Sequence, residues 1–199
     1  MAEPSKTVTG LRELRGGRVA VSLDGAEWRT LPADAVVRAG LRVGLELDRP
    51  RARELARELR RSRALTYAAR ALGRRELTTR ELDVRLTRAG FRERERSSAG
   101  ETLARAGALD DERFARSRAA RLAARGHGDT AIRWDLEQRG LAADHVERAL
   151  AELEHEGERA SRILVDRGPG PATARLLARR GFSDEVVASA GELGIGYED

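Results

Sequence analysis

Three times in this chain an apolar helical stretch stops at a glycine, and an aromatic residue or leucine follows at once. The anchors are Ala89-Gly90-Phe91, Arg139-Gly140-Leu141 and Arg180-Gly181-Phe182. Leu86, Leu136 and Leu177 stand four residues before the glycines, and Ala99, Ala149 and Ala190 stand nine after them. Leu103 and Leu153 stand thirteen after the first two. A unit of the size set by these anchors cannot bury its apolar face alone, so the recurrence predicts supersecondary units stacked on their neighbours. The expected fold is mainly α, with tandem three-helix repeats forming an elongated crescent. Function then belongs on an extended surface and not in a pocket.

Composition agrees with a modest core. Of the 199 residues 40% are hydrophobic and only 4% aromatic, enough for a repeat body and a small extra domain but not for a large globular interior. Charged residues reach 36%, while Leu and Ala recur at helical spacing, which points to solvated helices and not to disorder. The net charge is +5, and every basic residue except Lys6 is arginine; this one-sidedness is read as coding bias and not as selection for bidentate anion contacts. Residues 1 to 63 hold 14 basic and 9 acidic side chains, residues 64 to 108 hold 10 and 6, and residues 109 to 157 hold 8 and 11. The positive field therefore sits in the N-terminal half, which suits nucleic acid or an acidic partner. The absence of cysteine excludes disulfides and thiolate chemistry. No apolar run approaches the roughly 18 residues of a membrane span, and Met1 to Gly10 lacks a signal-peptide core. The expectation is a soluble, cytoplasmic protein.

Residues 1–47 read as a small β-rich unit. Thr7 to Leu14, Arg18 to Leu23 and Ala26 to Leu31 alternate, Asp24-Gly25 is a hairpin dipeptide, and Trp28, Val19 and Val21 are candidates for the inner face. Pro32 opens a short helix to about Ala39. Residues 48–63 form a helical connector: Asp48 and Pro50 start a helix that meets no breaker before Leu72, with Leu55, Leu59, Tyr67 and Leu72 as its buried stripe and Arg51, Arg53, Arg57, Arg60 and Arg61 exposed. Repeat 1 covers residues 64–108, with Thr78-x-x-Glu81 as a capping box and a third helix from about Arg94 to Ala106. Arg96 and Gly100 stand there where repeat 2 has Val146 and Leu150, so this helix is expected to be short or loosely packed. Repeat 2 covers residues 109–157: a helix from Asp110 or Asp111 to Arg125, a second from Asp129 to Arg139 and a third from Ala143 to Glu156. Repeat 3 with the tail covers residues 158–199, with helices at Glu158 to Asp166, Ala172 to Arg180 and Asp184 to Leu193, and a frayed end from Gly194 to Asp199. Thr173 replaces the Leu82 and Ile132 of the other repeats, which predicts a different docking of that helix.

The chemistry-bearing residues point away from catalysis. Asp110, Asp111 and Glu112 are adjacent carboxylates, yet at a helix start they cap orphan N–H groups and meet the positive dipole end. His127, His145 and His155 form no His-x-x-x-His pair, so no metal site is expected. There is no Gly-x-x-x-x-Gly-Lys loop and no serine flanked as a nucleophile elbow. The chain is read as no enzyme, with no cofactor. Trp134 lies about 200° round its helix from the Ile132 and Leu136 stripe. Two readings stand: packing against a neighbouring helix, or an exposed anchor for a partner. Val84 and Arg175 occupy its equivalent positions. Arg74, Arg75 and Arg80 flank one repeat turn and Arg121, Arg125 and Arg133 the matching turn; they are either solvated surface or one basic ridge. These six arginines and Trp134 are the candidate partner- and DNA-binding residues.

The run Gly107-Ala108-Leu109-Asp110-Asp111-Glu112-Arg113-Phe114-Ala115 resembles the Gly-Leu-Leu-Asp-Asp-Glu-Arg-Phe-Ala run of the RecX family, bacterial regulators of the RecA recombinase. Gly126 to Leu141 is similar to that family's Arg-x-Gly-x-x-x-Ile-x-x-x-Leu-x-x-Arg-Gly segment, and with the three anchors the match spans about Ala64 to Leu193. Thr7 to Leu47 looks like an N-terminal extension that some members carry. The resemblance implies a helical crescent that lodges in the groove of a RecA filament on DNA and hinders growth, ATP turnover and strand exchange, within homologous recombination and the SOS response. It implies RecA and nucleic acid, direct or through the filament, as partners, with no membrane and no small-molecule substrate. The rival reading is a duplex-DNA-binding protein with tandem helix-turn-helix-like units; a scaffold for an unrelated partner is a third.

Overall fold

The computed structural model describes residues 5–192. The frayed end expected for Gly194 to Asp199 lies outside them. Within this range the chain is mainly helical with a small N-terminal antiparallel sheet, and it divides into two compact units: Met1–Arg75 with Leu82–Ala108, and Glu76–Glu81 with Leu109–Asp199.

The first unit begins with strands β1 (Lys6–Leu14), β2 (Arg18–Leu23) and β3 (Ala26–Pro32), helix α1 (Ala33–Arg38) and strand β4 (Glu46–Leu47). The sheet order is β3-β2-β1-β4, all neighbours antiparallel. Asp24 and Gly25 turn β2 into β3 at φ 52° and 84°, both in the left-handed region that this two-residue hairpin demands. Val8, Val19, Val21, Leu23 and Leu31 face a core closed by Val36, Leu41, Leu45 and Leu55, with Trp28 half-buried against it. The two-residue β4, for which Leu45 and Leu47 gave no alternating signal, pairs with the start of β1.

Helix α2 (Arg49–Leu72) is capped by Asp48, whose carboxylate accepts from the Arg51 N–H at 2.9 Å. Its buried face differs from the expected stripe. Leu55 is buried and Leu59 half-buried, but the rest of the stripe is Ser62, Ala64, Ala68 and Ala71, and Tyr67 is 40% exposed. Arg60 and Arg61 are half-buried, not exposed. Small alanines let α4 (Glu93–Arg105) pack close to α2, and the larger ring is displaced to the rim. Nor is α4 short: it has 13 residues, and Arg96 ties it to α3 (Thr79–Arg88) through Asp83 at 2.6 Å.

The second unit contains α5 (Asp111–Ala124), α6 (Asp129–Gln138), α7 (Ala143–Ala151), α8 (Glu156–Arg167), α9 (Pro171–Arg179) and α10 (Asp184–Glu192). Phe114, Ala115, Ala119, Leu122, Ile132, Leu136, Leu141, Val146 and Ala149 make one core from α5, α6 and α7. Ala160, Leu177, Phe182 and Ala190 make another from α8, α9 and α10. The helix expected to run to Glu156 ends at Ala151, and Glu156 opens α8. Thr173 is buried and donates to the Gly168 carbonyl at 2.8 Å, which keeps a hydroxyl satisfied where the other repeats place an aliphatic side chain.

The sequence anchors are helix C-terminal motifs. At Gly90, Gly140 and Gly181 φ is 82°, 76° and 75°. The N–H two residues beyond the last helical turn reaches back from Phe91 to Leu86 at 3.2 Å, from Leu141 to Leu136 at 3.4 Å and from Phe182 to Leu177 at 3.2 Å. This is the Schellman arrangement, in which the residue after glycine also packs on the one it bonds, and it accounts for leucine four residues before each glycine.

Gly128, at the start of α6, lies against the backbone of Gly181 and Phe182; a Cβ there would fall 2.3 Å from three backbone atoms. Gly128→Ala is expected to cost about 1–3 kcal/mol or more by overpacking. Gly100, inside α4 with open space around it, behaves in the opposite sense: Gly100→Ala is expected to gain roughly 0.5–1 kcal/mol. Urea denaturation of the two variants checks both signs.

Candidate functional site

Short helices leave many orphan backbone groups at their ends, and the second unit satisfies them by joining one helix end to another. Thr78, before the first turn of α3, donates its hydroxyl to the Arg139 carbonyl at 2.7 Å and accepts from the Glu81 N–H at 3.1 Å. The next donor, Thr79 N–H, goes to the Asp111 carboxylate at 2.8 Å. The same pattern recurs at α6. Gly128 and Thr130 N–H donate to the carbonyls of Arg180 and Gly181 at 2.9 and 3.1 Å. Asp129 N–H donates to the Glu156 carboxylate at 2.7 Å, and Ser183 N–H to its other oxygen at 3.2 Å. An acid at the first position of α5 or α8 thus caps the middle helix that precedes it in the chain. The three adjacent carboxylates divide accordingly: Asp110 caps its own helix through the Arg113 N–H at 2.9 Å, Asp111 caps α3, and Glu112 pairs with Arg116 at 2.9 Å.

Arginine networks lock these joints. Arg139 donates to Glu81 at 2.8 Å and to Asp135 at 3.0 Å, and Arg118 grips Asp135 through two bonds at 2.9 and 2.8 Å. The Arg118 bonds, against the opposing effect of burial, and those of Arg139 hold the Asp135 carboxyl below its ordinary value. In the other joint Arg159, only 4% exposed, pairs with Asp129 and donates to the His127 carbonyl at 2.7 Å. A buried cation requires such full pairing. Arg118, Asp135 and Arg159 carry no signal in the sequence; Arg139 stands in a repeat anchor, Glu81 in the Thr78-x-x-Glu81 box and Asp129 at a helix start, but none of those patterns reports the pairing.

The candidate binding residues are distributed unevenly. Arg74 and Arg75 are exposed in the first unit, whereas Arg80, Arg121, Arg125, Arg133 and Trp134 belong to the second. Arg80 lays its aliphatic stem over Gly140, where a Cβ would sit 1.9 Å from its Cδ. Arg121 faces Glu76 at 3.4 Å, with both side chains about half exposed. Arg133 makes a two-bond pair with Glu147, which raises the Arg133 value and lowers that of Glu147. Arg125 is exposed at the end of α5. Trp134 is not enclosed by a neighbouring helix: it is 63% exposed on α6, beside Arg133. Val84 and Arg175, its counterparts, are also exposed.

Residues 110–150 match the family model described as the second three-helix domain of RecX. The regulatory protein RecX of Stenotrophomonas maltophilia (strain K279a) is 35% identical over 144 residues, 66% of this chain and 88% of its own length. That of Deinococcus radiodurans is 36% identical over 149 residues, 70% of this chain and 71% of its own. A crystal structure of a regulatory protein RecX superposes with a TM-score of 0.81 over 93% of this chain and 98% of its own, at 19% identity. The crystal structure of RecX from Lactobacillus salivarius gives 0.58 over 68% and 97%, at 18% identity. These two structures share the fold.

Because the folded Asp135 carboxyl is depressed below the ordinary 3.8, its contribution is fully present above that value and is lost as pH falls through the folded one. Asp135→Asn is therefore expected to lower Tm by a constant margin from about pH 7 to about pH 5, a margin that shrinks on further acidification. Thermal melts from about pH 7 to below the ordinary carboxylate value check it; a margin that stays unchanged at low pH contradicts the assignment.

Proposed function

The chain belongs to the RecX family of regulatory proteins, and from that premise we propose that it binds RecA filaments on DNA and restrains their growth, ATP turnover and strand exchange. The observation that carries this reading is its relationship to curated regulatory RecX proteins over 66–70% of the chain. The protein works by occupying space and charge on the filament, with no reaction of its own, in the cytoplasm, as part of recombinational repair. Among the described residues no helix is long and apolar enough to cross a membrane.

In this reading Trp134 is an anchor. A large ring held 63% exposed on a short helix leaves apolar area to be covered by a partner, and tryptophan is prominent among residues whose truncation costs binding. Arg80, Arg121, Arg125 and Arg133, with Arg74 and Arg75, supply positive charge. The exposed Arg121–Glu76 and Arg133–Glu147 pairs do not prevent this: solvent-exposed ion pairs are worth about 0–1 kcal/mol, and a polyanion or an acidic protein face can replace the intramolecular carboxylate. Repetition adds strength, since one molecule meeting several filament subunits binds through several weak contacts at once.

RecA ATPase on single-stranded DNA tests the proposal: inhibition at substoichiometric ratios is expected, and no effect at excess overturns it. Trp134→Ala is expected to weaken inhibition by roughly 30-fold, the equivalent of a 2 kcal/mol anchor, at unchanged melting temperature. Full inhibition by that variant removes Trp134 from the surface. If the arginines neutralise phosphates, affinity for duplex DNA falls with salt at a log-log slope of about −0.9 per contact; a flat response assigns them to protein contact. A mobility shift on duplex DNA without RecA that survives competitor DNA favours the tandem helix-turn-helix alternative.

A further inference from the structure

The first unit holds a cleft of about 500 Å³ between the edge strand β3 and one face of α2. Arg18, Arg29, Arg63 and Arg70 line it together with Tyr67 and Phe91, and no carboxylate lines it among the described residues. Four arginines share that lining. A neighbouring cleft of about 520 Å³ differs in this respect: it interleaves its arginines with Glu58, Glu93 and Glu95, and Arg60 there pairs with Glu95 at 2.9 Å. Like charges gathered without counter-ions repel, so this cleft is built for an external anion.

The supports of the arginines orient them without neutralising them. Arg18 donates to the Thr30 carbonyl at 3.1 Å, and the Arg29 guanidinium lies 5.3 Å from the centre of the Trp28 ring; both partners are uncharged. On the helix side Arg63, Tyr67 and Arg70 follow at i, i+4 and i+7 and share one face, spanning about 10 Å along the axis. Tyr67 sits between the two cations, 40% exposed, with the Phe91 ring 5.6 Å away and tilted by 58°. The tilted contact orients the ring without enclosing it.

We propose that this cleft binds single-stranded nucleic acid, with phosphates on the four arginines and an unpaired base on Tyr67. Positive charge along a groove with an interleaved aromatic platform is the combination by which single strands are held, the charge tracking the backbone and the ring stacking a base. A duplex keeps its bases stacked within the helix and offers Tyr67 nothing planar. An acidic peptide satisfies the arginines but leaves the ring without a role. The site shares no residue with the filament-binding surface proposed above and does not depend on it.

The test is fluorescence anisotropy of the full chain with labelled oligothymidylate, in the absence of any recombinase, so that its outcome is independent of the ATPase experiment. The paired change Arg63→Glu, Arg70→Glu is expected to weaken binding at least about tenfold and to flatten the salt dependence by about 0.7 for each phosphate contact removed. Arg63→Lys, Arg70→Lys retains most of the affinity, since phosphate is also served by an ammonium. Tyr67→Ala is expected to cost about tenfold on oligothymidylate and nothing on an abasic strand of equal length. Any one of four results overturns the proposal: unchanged binding by the folded charge-reversal variant, equal affinity for a duplex, equal competition by polyglutamate, or an equal effect of Tyr67→Ala on the abasic strand.

Discussion

Helices of nine to fourteen residues, as in the second unit, leave about eight end groups unbonded against roughly five to ten internal hydrogen bonds, because each helix leaves four donors and four acceptors without partners. That constraint governs the unit. Helices α5, α6 and α9 end in glycines that fold the chain back on its own last turn, and α3 and α6 begin where a carboxylate or a carbonyl of a later segment is waiting. Burial alone does not explain this arrangement. The aliphatic cores are small, and much of the specificity lies in which polar end meets which.

The joints also explain where charge is used structurally and where it is free to serve recognition. Asp111, Asp135, Arg118, Arg139, Glu156 and Arg159 are committed to holding helix ends. The exposed pairs Arg121–Glu76 and Arg133–Glu147 are loose by comparison, and Trp134 stands among groups that can exchange partners. Rigid joints with labile surface pairs suit a protein that acts by being held in place.

What the sequence revealed followed from backbone rules. Glycine after a leucine-bearing turn, Asp24-Gly25 between alternating segments and Asp48 ahead of Pro50 each demand one conformation, and each adopts it. The angle of Trp134 left packing and exposure both open, and the fold decides it, with the ring 63% exposed. Tyr67 was misplaced because size outweighs position in a hydrophobic pattern: alanines one step round α2 bring α4 close and leave no room for a ring. Glu156 was read into the preceding helix since nothing local separates a C-terminal from an N-terminal acid; its partners, Asp129 and Ser183, lie 27 residues away on either side. Strand β4 was missed because two residues carry no period. The cleft beside Tyr67 joins residues from β2, β3, α2 and the turn after α3, and no linear pattern reports that convergence.

The start of the last middle helix is different. Where α3 and α6 borrow their caps from the segment that follows, the Gly170 N–H is taken by the Ala190 carbonyl of its own triplet at 3.1 Å. Its first donor is thereby satisfied inside the triplet, so this helix start does not require the carbonyl of a following segment that Gly128 requires.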